Sequence, residues 1–296
     1  MEIQIRSFDN HKLAIGTVQF GLDYGISNQN GQVSKNEIKY ILDFASENGI
    51  DTLDTAKSYG NSEVSIGYYL KQSDNSWNII TKVSDCEKTV IQQIQNSIEK
   101  LSVKPAVVLA HSAKLFLNSE FQSEIQKAKE KQLIQYFGVS LYNEKEINQV
   151  LATELKPDIV QLPMNILDTR LYRCGVFSKL LDKGIEIHVR SAFLQGLFYL
   201  SKTDLERRFS DAVPQLDKLK SIAAKAALTI AELSLLWLVN LKEVSKVIIG
   251  VDNTEQLEAH LKTIKKVVDP GVFEEALSFN YENEYILNPS LWPIKL

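Results

Sequence analysis

Residues 50–63 have the sequence IDTLDTAKSYGNSE, and their pattern is the clearest indication of the fold. Its first residues predict a short buried β-strand that ends at Asp54, and the polar run after it predicts a loop that carries Tyr59. Two later segments repeat the arrangement, because WNIITK ends at Lys82 and VVLAH ends at His111. In each case a polar residue stands where a predicted strand gives way to a loop.

Along the whole chain, short apolar segments alternate with amphipathic helical patterns. This alternation is typical of parallel βα units. Eight segments are predicted strands: 12–21, 50–56, 77–83, 106–111, 134–141, 158–163, 185–192 and 246–251. Helical patterns lie between them, among them 34–47, 143–151, 214–227 and 230–241.

Eight alternating units predict a single-domain α/β fold over residues 1–296, a (β/α)8 TIM barrel. Active sites of such barrels form at the C-terminal ends of the strands, where the polar residues above are expected to meet. A doubly wound sheet is the alternative, but no GxGxxG motif follows an early strand. The long segment between the seventh and eighth strands leaves room for a loop over the barrel mouth, which is a candidate lid.

Two helix starts carry a capping-box pattern, in which a small polar residue is followed three positions later by Glu. Ser34 with Glu37 is the first, and Asn143 with Glu146 is the second. Both patterns place a helix directly after a predicted loop.

Composition indicates a protein that acts on small molecules. The formal charge is −4 and the pI is about 5.7, which predicts no nucleic-acid or anionic-membrane partner. Cys86 and Cys174 form no metal-ligand pair, and we predict no metal site. The sequence has no signal-peptide pattern and no apolar run of membrane-spanning length, so a cytoplasmic location is expected. Oligomeric state is not predicted.

Asp54, Tyr59, Lys82 and His111, called the tetrad below, can together support proton transfer to a substrate. A free phenol titrates near pH ~10, so a tyrosine that donates a proton at neutral pH needs a nearby cation to stabilise the phenolate. Lys82 can supply that charge and Asp54 can fix the ammonium. A neutral His111 can donate a hydrogen bond to a substrate oxygen.

The sequence resembles the aldo-keto reductase family. Residues 54–63, with Gly67, match the pattern DTAxxYGxSExxxG, and Lys82 and His111 match the family's other two catalytic positions. This resemblance implies that Tyr59 is the general acid in the reduction of an aldehyde or ketone by NAD(P)H. The cofactor would supply the hydride, since none of the four side chains is a hydride donor.

The resemblance also implies a cofactor site along the strand ends. Ser140 and Gln161 resemble the residues that bind the nicotinamide carboxamide, and Arg190 stands where an aromatic residue often stacks on the nicotinamide. The full set of implied cofactor positions is Gly16, Thr17, Asp54, Ser140, Gln161, Arg190, Ser191, Ile249, Gly250, Val251, Asp252, Gln256 and His260.

Several positions depart from the family pattern. Leu141 replaces an Asn that usually follows the Ser, so that polar contact is missing or comes from elsewhere, with Asn165 as a candidate. Asp252 stands in a loop where many members carry a basic residue that binds the 2′-phosphate of NADP(H), and this loop contains no Arg. The resemblance implies NADP(H), while the local sequence leaves NAD(H) or dual use open.

Two alternatives to a general carbonyl reductase stay open. The first is a biosynthetic enzyme specific for one sugar or sugar nucleotide. Arg190 and the Asp23–Tyr24 loop are compatible with this alternative but do not establish it. The second is a nicotinamide-binding regulatory protein with little turnover, which is disfavoured because the tetrad is complete.

Overall fold

The predicted barrel is confirmed by the computed structural model, which describes residues 11–86 and 88–292. Eight parallel strands pair in chain order, and the last pairs with the first, so the sheet closes on itself. The strands are β1 (Leu13–Gly16), β2 (Thr52–Asp54), β3 (Asn78–Val83), β4 (Val107–Ala110), β5 (Tyr136–Ser140), β6 (Ile159–Pro163), β7 (Glu186–Arg190) and β8 (Lys246–Gly250).

Helices cover the outside of the barrel in the described part of the chain. They are α1 (Val18–Gly21), α2 (Lys35–Glu47), α3 (Ser62–Leu70), α4 (Val90–Leu101), α5 (Ala113–Phe116), α6 (Ser119–Glu130), α7 (Glu144–Ala152), α8 (Arg170–Arg173), α9 (Val176–Leu181), α10 (Lys202–Arg208), α11 (Val213–Lys225), α12 (Ile230–Asn240), α13 (Thr254–Thr263), α14 (Pro270–Ala276) and α15 (Glu284–Leu287). Short 3₁₀ segments lie at Leu194–Tyr199, Ser210–Ala212 and Pro289–Leu291.

The predicted first strand, 12–21, was wrong in its second half. The strand ends at Gly16, and Val18–Gly21 is a helical turn. The Thr17 amide donates to the Asp54 carbonyl at 2.9 Å, and the Phe20 amide then donates back to the Thr17 carbonyl at 3.1 Å. Alternating apolar residues therefore suited a helical turn as well as a strand, and tertiary contacts decided between them.

Neither predicted capping box forms in full. Ser34 accepts from the Glu37 amide, but the Glu37 carboxylate binds the amide and hydroxyl of Thr254 at 2.7 and 2.8 Å instead of returning to Ser34. Asn143 likewise caps α7, while the Glu146 carboxylate accepts from the Tyr142 amide at 2.6 Å. The two caps hold, but each Glu takes a different partner.

Side-chain alternation along the strands divides the barrel interior into an apolar floor and a polar mouth. Ile80, Leu109 and Ile159 belong to one fully buried cluster at the floor. Two residues further along the same strands, on the same inner face, stand Lys82, His111 and Gln161. The apolar cluster therefore sets the orientation of the polar side chains above it.

No single helix in residues 11–86 and 88–292 is long and apolar enough to cross a membrane. One consecutive pair, Ser210–Lys225 with Ile230–Asn240, meets the length and apolarity criterion only jointly and is bent by 74°.

Candidate active site

A cavity of about 730 Å³ opens at the C-terminal ends of the strands. All four members of the tetrad line it, although they come from three different βα units. Other implied cofactor positions that line the cavity are Gly16, Ser140, Gln161, Arg190, Ser191, Gly250, Asp252, Gln256 and His260.

Lys82 is the centre of the polar contacts in this cavity. Its side chain is buried, and Nζ donates to Asp54 Oδ1 at 2.6 Å, to the Thr55 carbonyl at 3.0 Å and to Tyr59 Oη at 3.4 Å. Burial lowers the pKa of Lys82, but the Asp54 carboxylate and Tyr59 outweigh this, so its pKa lies above the ordinary value. The ammonium is therefore charged at neutral pH.

Asp54 is fixed from both sides. Its second oxygen, Oδ2, accepts from Gln161 Nε2 at 2.7 Å, while Oδ1 accepts from Lys82. Because both oxygens have partners, the carboxylate is held in one orientation beneath the ammonium. A buried ion pair of this kind is stable only when its remaining hydrogen-bonding groups are satisfied.

The loop that carries Tyr59 is packed tightly against α1. A Cβ on Gly21 would overlap the Tyr59 carbonyl oxygen and the Ser62 amide nitrogen, and Gly60 has a φ of 55°. Buried hydroxyls tie the same loop to β1, since Ser62 Oγ donates to Thr17 Oγ1 at 2.8 Å. The glycine of α1 thus brings the loop close enough for the phenol to reach Lys82.

We expect Gly21→Ala to destabilise the protein and to displace Tyr59, because the new methyl group would collide with backbone atoms that cannot move aside cheaply. A loss of about 1–3 kcal/mol in the free energy of unfolding is expected from such overpacking. Urea denaturation measures it. Gly271→Ala is the matched control, because a Cβ there meets only ordinary contacts at 3.5 Å or more. Equal stability of the two variants would contradict the close packing of this loop.

His111, directly after β4, faces the phenol of Tyr59. The two rings are 6.2 Å apart and edge-to-face, and His111 Nδ1 lies 3.4 Å from Ser58 Oγ. Burial, followed by the charges of Lys82 and Arg190, lowers the pKa of His111 to about 4. The imidazole is therefore neutral at neutral pH and carries a single N–H donor.

Gln161 and Ser140 form a polar pair in the cavity wall. Gln161 Nε2 donates a hydrogen bond to Asp54, but the side-chain oxygen Oε1 of Gln161 is buried without a hydrogen-bond partner. A buried acceptor of this kind is costly unless a ligand completes it. Ser140 lies beside it, since the two residues pair across β5 and β6. An amide group that both donates and accepts fits this pair.

The opposite end of the cavity, at the start of α13, is acidic. The Asp252 amide donates to Gln256 Oε1 at 2.8 Å, and Glu37 accepts from Thr254, the first residue of the helix. His260 stacks on Phe193 with ring centroids 4.7 Å apart, and burial lowers its pKa to about 4. Among the described residues that line the cavity, the Lys and Arg side chains are Lys82 and Arg190, and neither belongs to this loop.

Some implied positions stand outside the cavity lining. Thr17, Ile249 and Val251 are fully buried behind it, and Thr17 Oγ1 donates to the Asp54 carbonyl. Asn165, the candidate to replace the missing Asn, is also turned away. Its carboxamide bonds to the Ser191 carbonyl and accepts from the amides at 167 and 168.

Sequence reasoning missed several residues that line the cavity. Tyr142 packs over the Arg190 guanidinium, with 4.4 Å between the ring centroid and Cζ. Its position two residues past the end of β5 was the available signal. Tyr24, from the Asp23–Tyr24 loop, is also in the lining. Other missed residues include Gln19, Phe193, Gln195, Tyr199 and Glu232.

Within residues 11–86 and 88–292, no group of three or more His, Cys, Asp or Glu side chains is arranged to hold a metal ion.

The structure is thus a parallel eight-stranded barrel with a Tyr, a Lys, an Asp and a His at its C-terminal mouth. The model of the aldo/keto reductase family matches residues 12–279, and the chain belongs to this family. Its fold is similar to that of an aldo-keto reductase from Bacillus halodurans in its holo form, with 18% identity, a TM-score of 0.73, and 92% of this chain and 94% of the other covered. A Pseudomonas aeruginosa protein provisionally assigned to the aldo-keto reductases is 20% identical, with a TM-score of 0.63, and the match covers 86% of this chain and 89% of that one.

Proposed function

We propose that this protein reduces an aldehyde or ketone to an alcohol with a nicotinamide cofactor, and that Tyr59 donates the proton. The observation that carries the proposal is the position of Lys82 Nζ, which contacts both the Asp54 carboxylate and the Tyr59 hydroxyl inside the cavity. Membership of the aldo/keto reductase family supports the reaction class.

Each member of the tetrad has a different role in the transfer of the proton. The positive charge of Lys82 favours the phenolate that forms as Tyr59 releases its proton. Asp54 keeps the ammonium in place, and Gln161 keeps Asp54 in place. The neutral His111 donates one hydrogen bond to the carbonyl oxygen and so orients it toward the phenol.

The cofactor would lie along the strand ends. Ser140 and Gln161 would bind the carboxamide, Arg190 would offer its guanidinium plane to the ring, and the segment from Asp252 to His260 would face the adenosine. When bound, the reduced nicotinamide supplies the hydride.

We further propose that NADH binds at least as well as NADPH. The amide of Thr254 at the start of α13 is already bonded to the Glu37 carboxylate, and Asp252 lines the cavity beside it. A 2′-phosphate placed at this end would lie near the Asp252 carboxylate, and no described Lys or Arg of this loop lines the cavity, so its charge would be opposed.

Calorimetric titration of the purified protein with NADH and with NADPH tests whether it binds a nicotinamide cofactor and which of the two it prefers. We expect NADH to bind and NADPH to bind no more tightly. Asp252→Arg should strengthen NADPH binding by about tenfold relative to NADH, because a guanidinium is the natural partner of a phosphate. Glu255→Arg, one turn away and outside the cavity lining, is the control for a general charge effect. Tight NADPH preference in the wild-type protein would contradict the proposed cofactor preference.

A substrate panel distinguishes a general carbonyl reductase from an enzyme that is specific for one substrate. Simple aldehydes, sugars and sugar nucleotides should be compared by kcat/KM with saturating cofactor. Turnover of one sugar alone would support the biosynthetic alternative, and cofactor binding without turnover of any member would support the regulatory one.

A further inference from the structure

Arg190 is a half-buried cation at the mouth of the barrel, and the residues that the structure describes provide no ion-pair partner for it. It ends β7 and lines the cavity, and its Nη2 atom is buried without a hydrogen-bond partner. No Asp or Glu in the part of the chain that the structure describes forms an ion pair with it. Its side-chain hydrogen bond is a long one, from Nη1 to Ser191 Oγ at 3.4 Å.

The guanidinium is positioned by packing and not by an opposite charge. Tyr142 covers one face at 4.4 Å, and the backbone at Ser191 has a φ of 63°, which fixes the turn that follows the strand. Stacking on an aromatic ring leaves the N–H groups at the edge of the guanidinium available for hydrogen bonds in its plane.

The two cations of the cavity lining differ in whether an opposite charge compensates them. Lys82 is compensated by Asp54 at 2.6 Å, so the pair adds little net charge. Arg190 therefore leaves one uncompensated positive charge at the end of the cavity that holds the tetrad. Arg190, His111 and Tyr24 all line this part of the cavity. Burial lowers the pKa of His111 and raises that of Tyr24, and in both cases the charge of Arg190 acts toward a lower pKa.

A partly desolvated cation with an unused donor costs free energy in the unliganded protein, and an anionic ligand removes that cost. A guanidinium matches a carboxylate in shape, and hydrogen bonds between the two are among the strongest in proteins.

We propose that Arg190 binds a carboxylate carried by the substrate, so that the preferred substrate is an oxo compound with an acidic group. This inference rests on the proposed carbonyl reduction and deepens it by naming the class of substrate. The guanidinium plane and its edge serve different partners, so contact with the nicotinamide ring does not conflict with this role.

The test compares pairs of aldehydes that differ in charge and little in size: 4-formylbenzoate with 4-formylbenzamide, and succinate semialdehyde with 4-oxobutanamide. The ratio of kcat/KM within each pair is the readout, because it cancels any effect on the cofactor. We expect the wild-type protein to favour the carboxylate by about tenfold or more in at least one pair. Arg190→Gln should bring that ratio close to one, and Arg190→Lys should give an intermediate ratio.

Arg207→Gln is the matched control, since Arg207 is an exposed arginine paired with Asp204 on the surface. Its ratio should equal that of the wild type. A wild-type ratio near one in both pairs would overturn the proposal. An unchanged ratio in Arg190→Gln would also overturn it, including the case in which both members of a pair slow equally because cofactor binding weakens.

A binding measurement separates this proposal from the proposed function. Calorimetry of 4-formylbenzoate and 4-formylbenzamide with the NAD⁺-loaded protein needs no turnover, and the protein alone is used if it binds no cofactor. A carboxylate preference that Arg190→Gln removes would support the Arg190 site even if no aldehyde were reduced. Turnover without any carboxylate preference would reject the Arg190 site and leave the proposed function standing.

Discussion

Replacing Tyr59 by Phe is expected to lower kcat by about 10²–10⁴-fold, the range that a positioned proton donor contributes. The substitution removes only the hydroxyl that lies 3.4 Å from Lys82 Nζ, and leaves the ring beside His111. The dissociation constant of the cofactor should stay nearly constant, because the cofactor contacts proposed above lie at other residues. Steady-state kinetics and calorimetry on the same preparation measure the two quantities.

Two other tyrosines serve as comparisons for this variant. Tyr40→Phe changes an exposed tyrosine on α2 and should leave kcat unchanged. Tyr24→Phe removes another hydroxyl from the cavity lining and should cost much less than Tyr59→Phe, since Tyr24 has no contact with the Lys82 ammonium among those that the structure shows. If Tyr59→Phe retained turnover within a few-fold of the wild type, Tyr59 would not be the proton donor.

Replacing Lys82 by Met is expected to damage both turnover and stability. The substitution leaves the buried Asp54 carboxylate without its cation, and breaking a buried ion pair by removing one partner costs about 3–5 kcal/mol. Turnover should fall as well, because the charge that favours the phenolate is gone. Urea denaturation gives the loss of stability, and the kinetic assay gives the loss of rate.

A double variant separates these two effects. In Asp54→Asn with Lys82→Met both charges are absent, so the unpaired carboxylate disappears and at least half of the lost stability should return. Turnover should not return, because the ammonium is still missing. Recovery of activity along with stability would mean that Lys82 acts only as a structural residue. A loss of stability below about 1 kcal/mol in the single variant would contradict the buried pair.

Most of the fold could be predicted because it depends on local patterns. All eight strands lie within the predicted segments, and strand ends carry the polar residues at the spacing that a parallel barrel requires. The exception, 18–21, depends on a long-range contact. Its helical turn is set by the approach of Gly21 to the Tyr59 loop, which no local pattern encodes.

The candidate site was predictable where a residue lies in the last part of a strand or directly after it. Lys82, His111, Ser140 and Gln161 all reach the cavity for this reason. Side chains that depend on contacts between loops were not predictable. The stacking of Tyr142 on Arg190 joins the loop after β5 to the end of β7, and Leu194 and Gln195 adopt a φ of 47° and 52°, a conformation that neither residue type favours. The position of Tyr142 after β5 indicates that it lies near the cavity, but the sequence gives no local signal for the stacking or for the positive φ angles.

The proposed reaction is the reduction of a carbonyl group in the cavity that holds Tyr59. The most direct test is a single-turnover experiment in which wild-type protein in excess over NADH is mixed with an aldehyde and the absorbance of the reduced cofactor is followed. We expect the absorbance to decay and alcohol to form in equal amount, with the decay slowed by about 10²–10⁴-fold in Tyr59→Phe. A constant absorbance, with cofactor shown to be bound and a panel of neutral and acidic aldehydes tried, would contradict it.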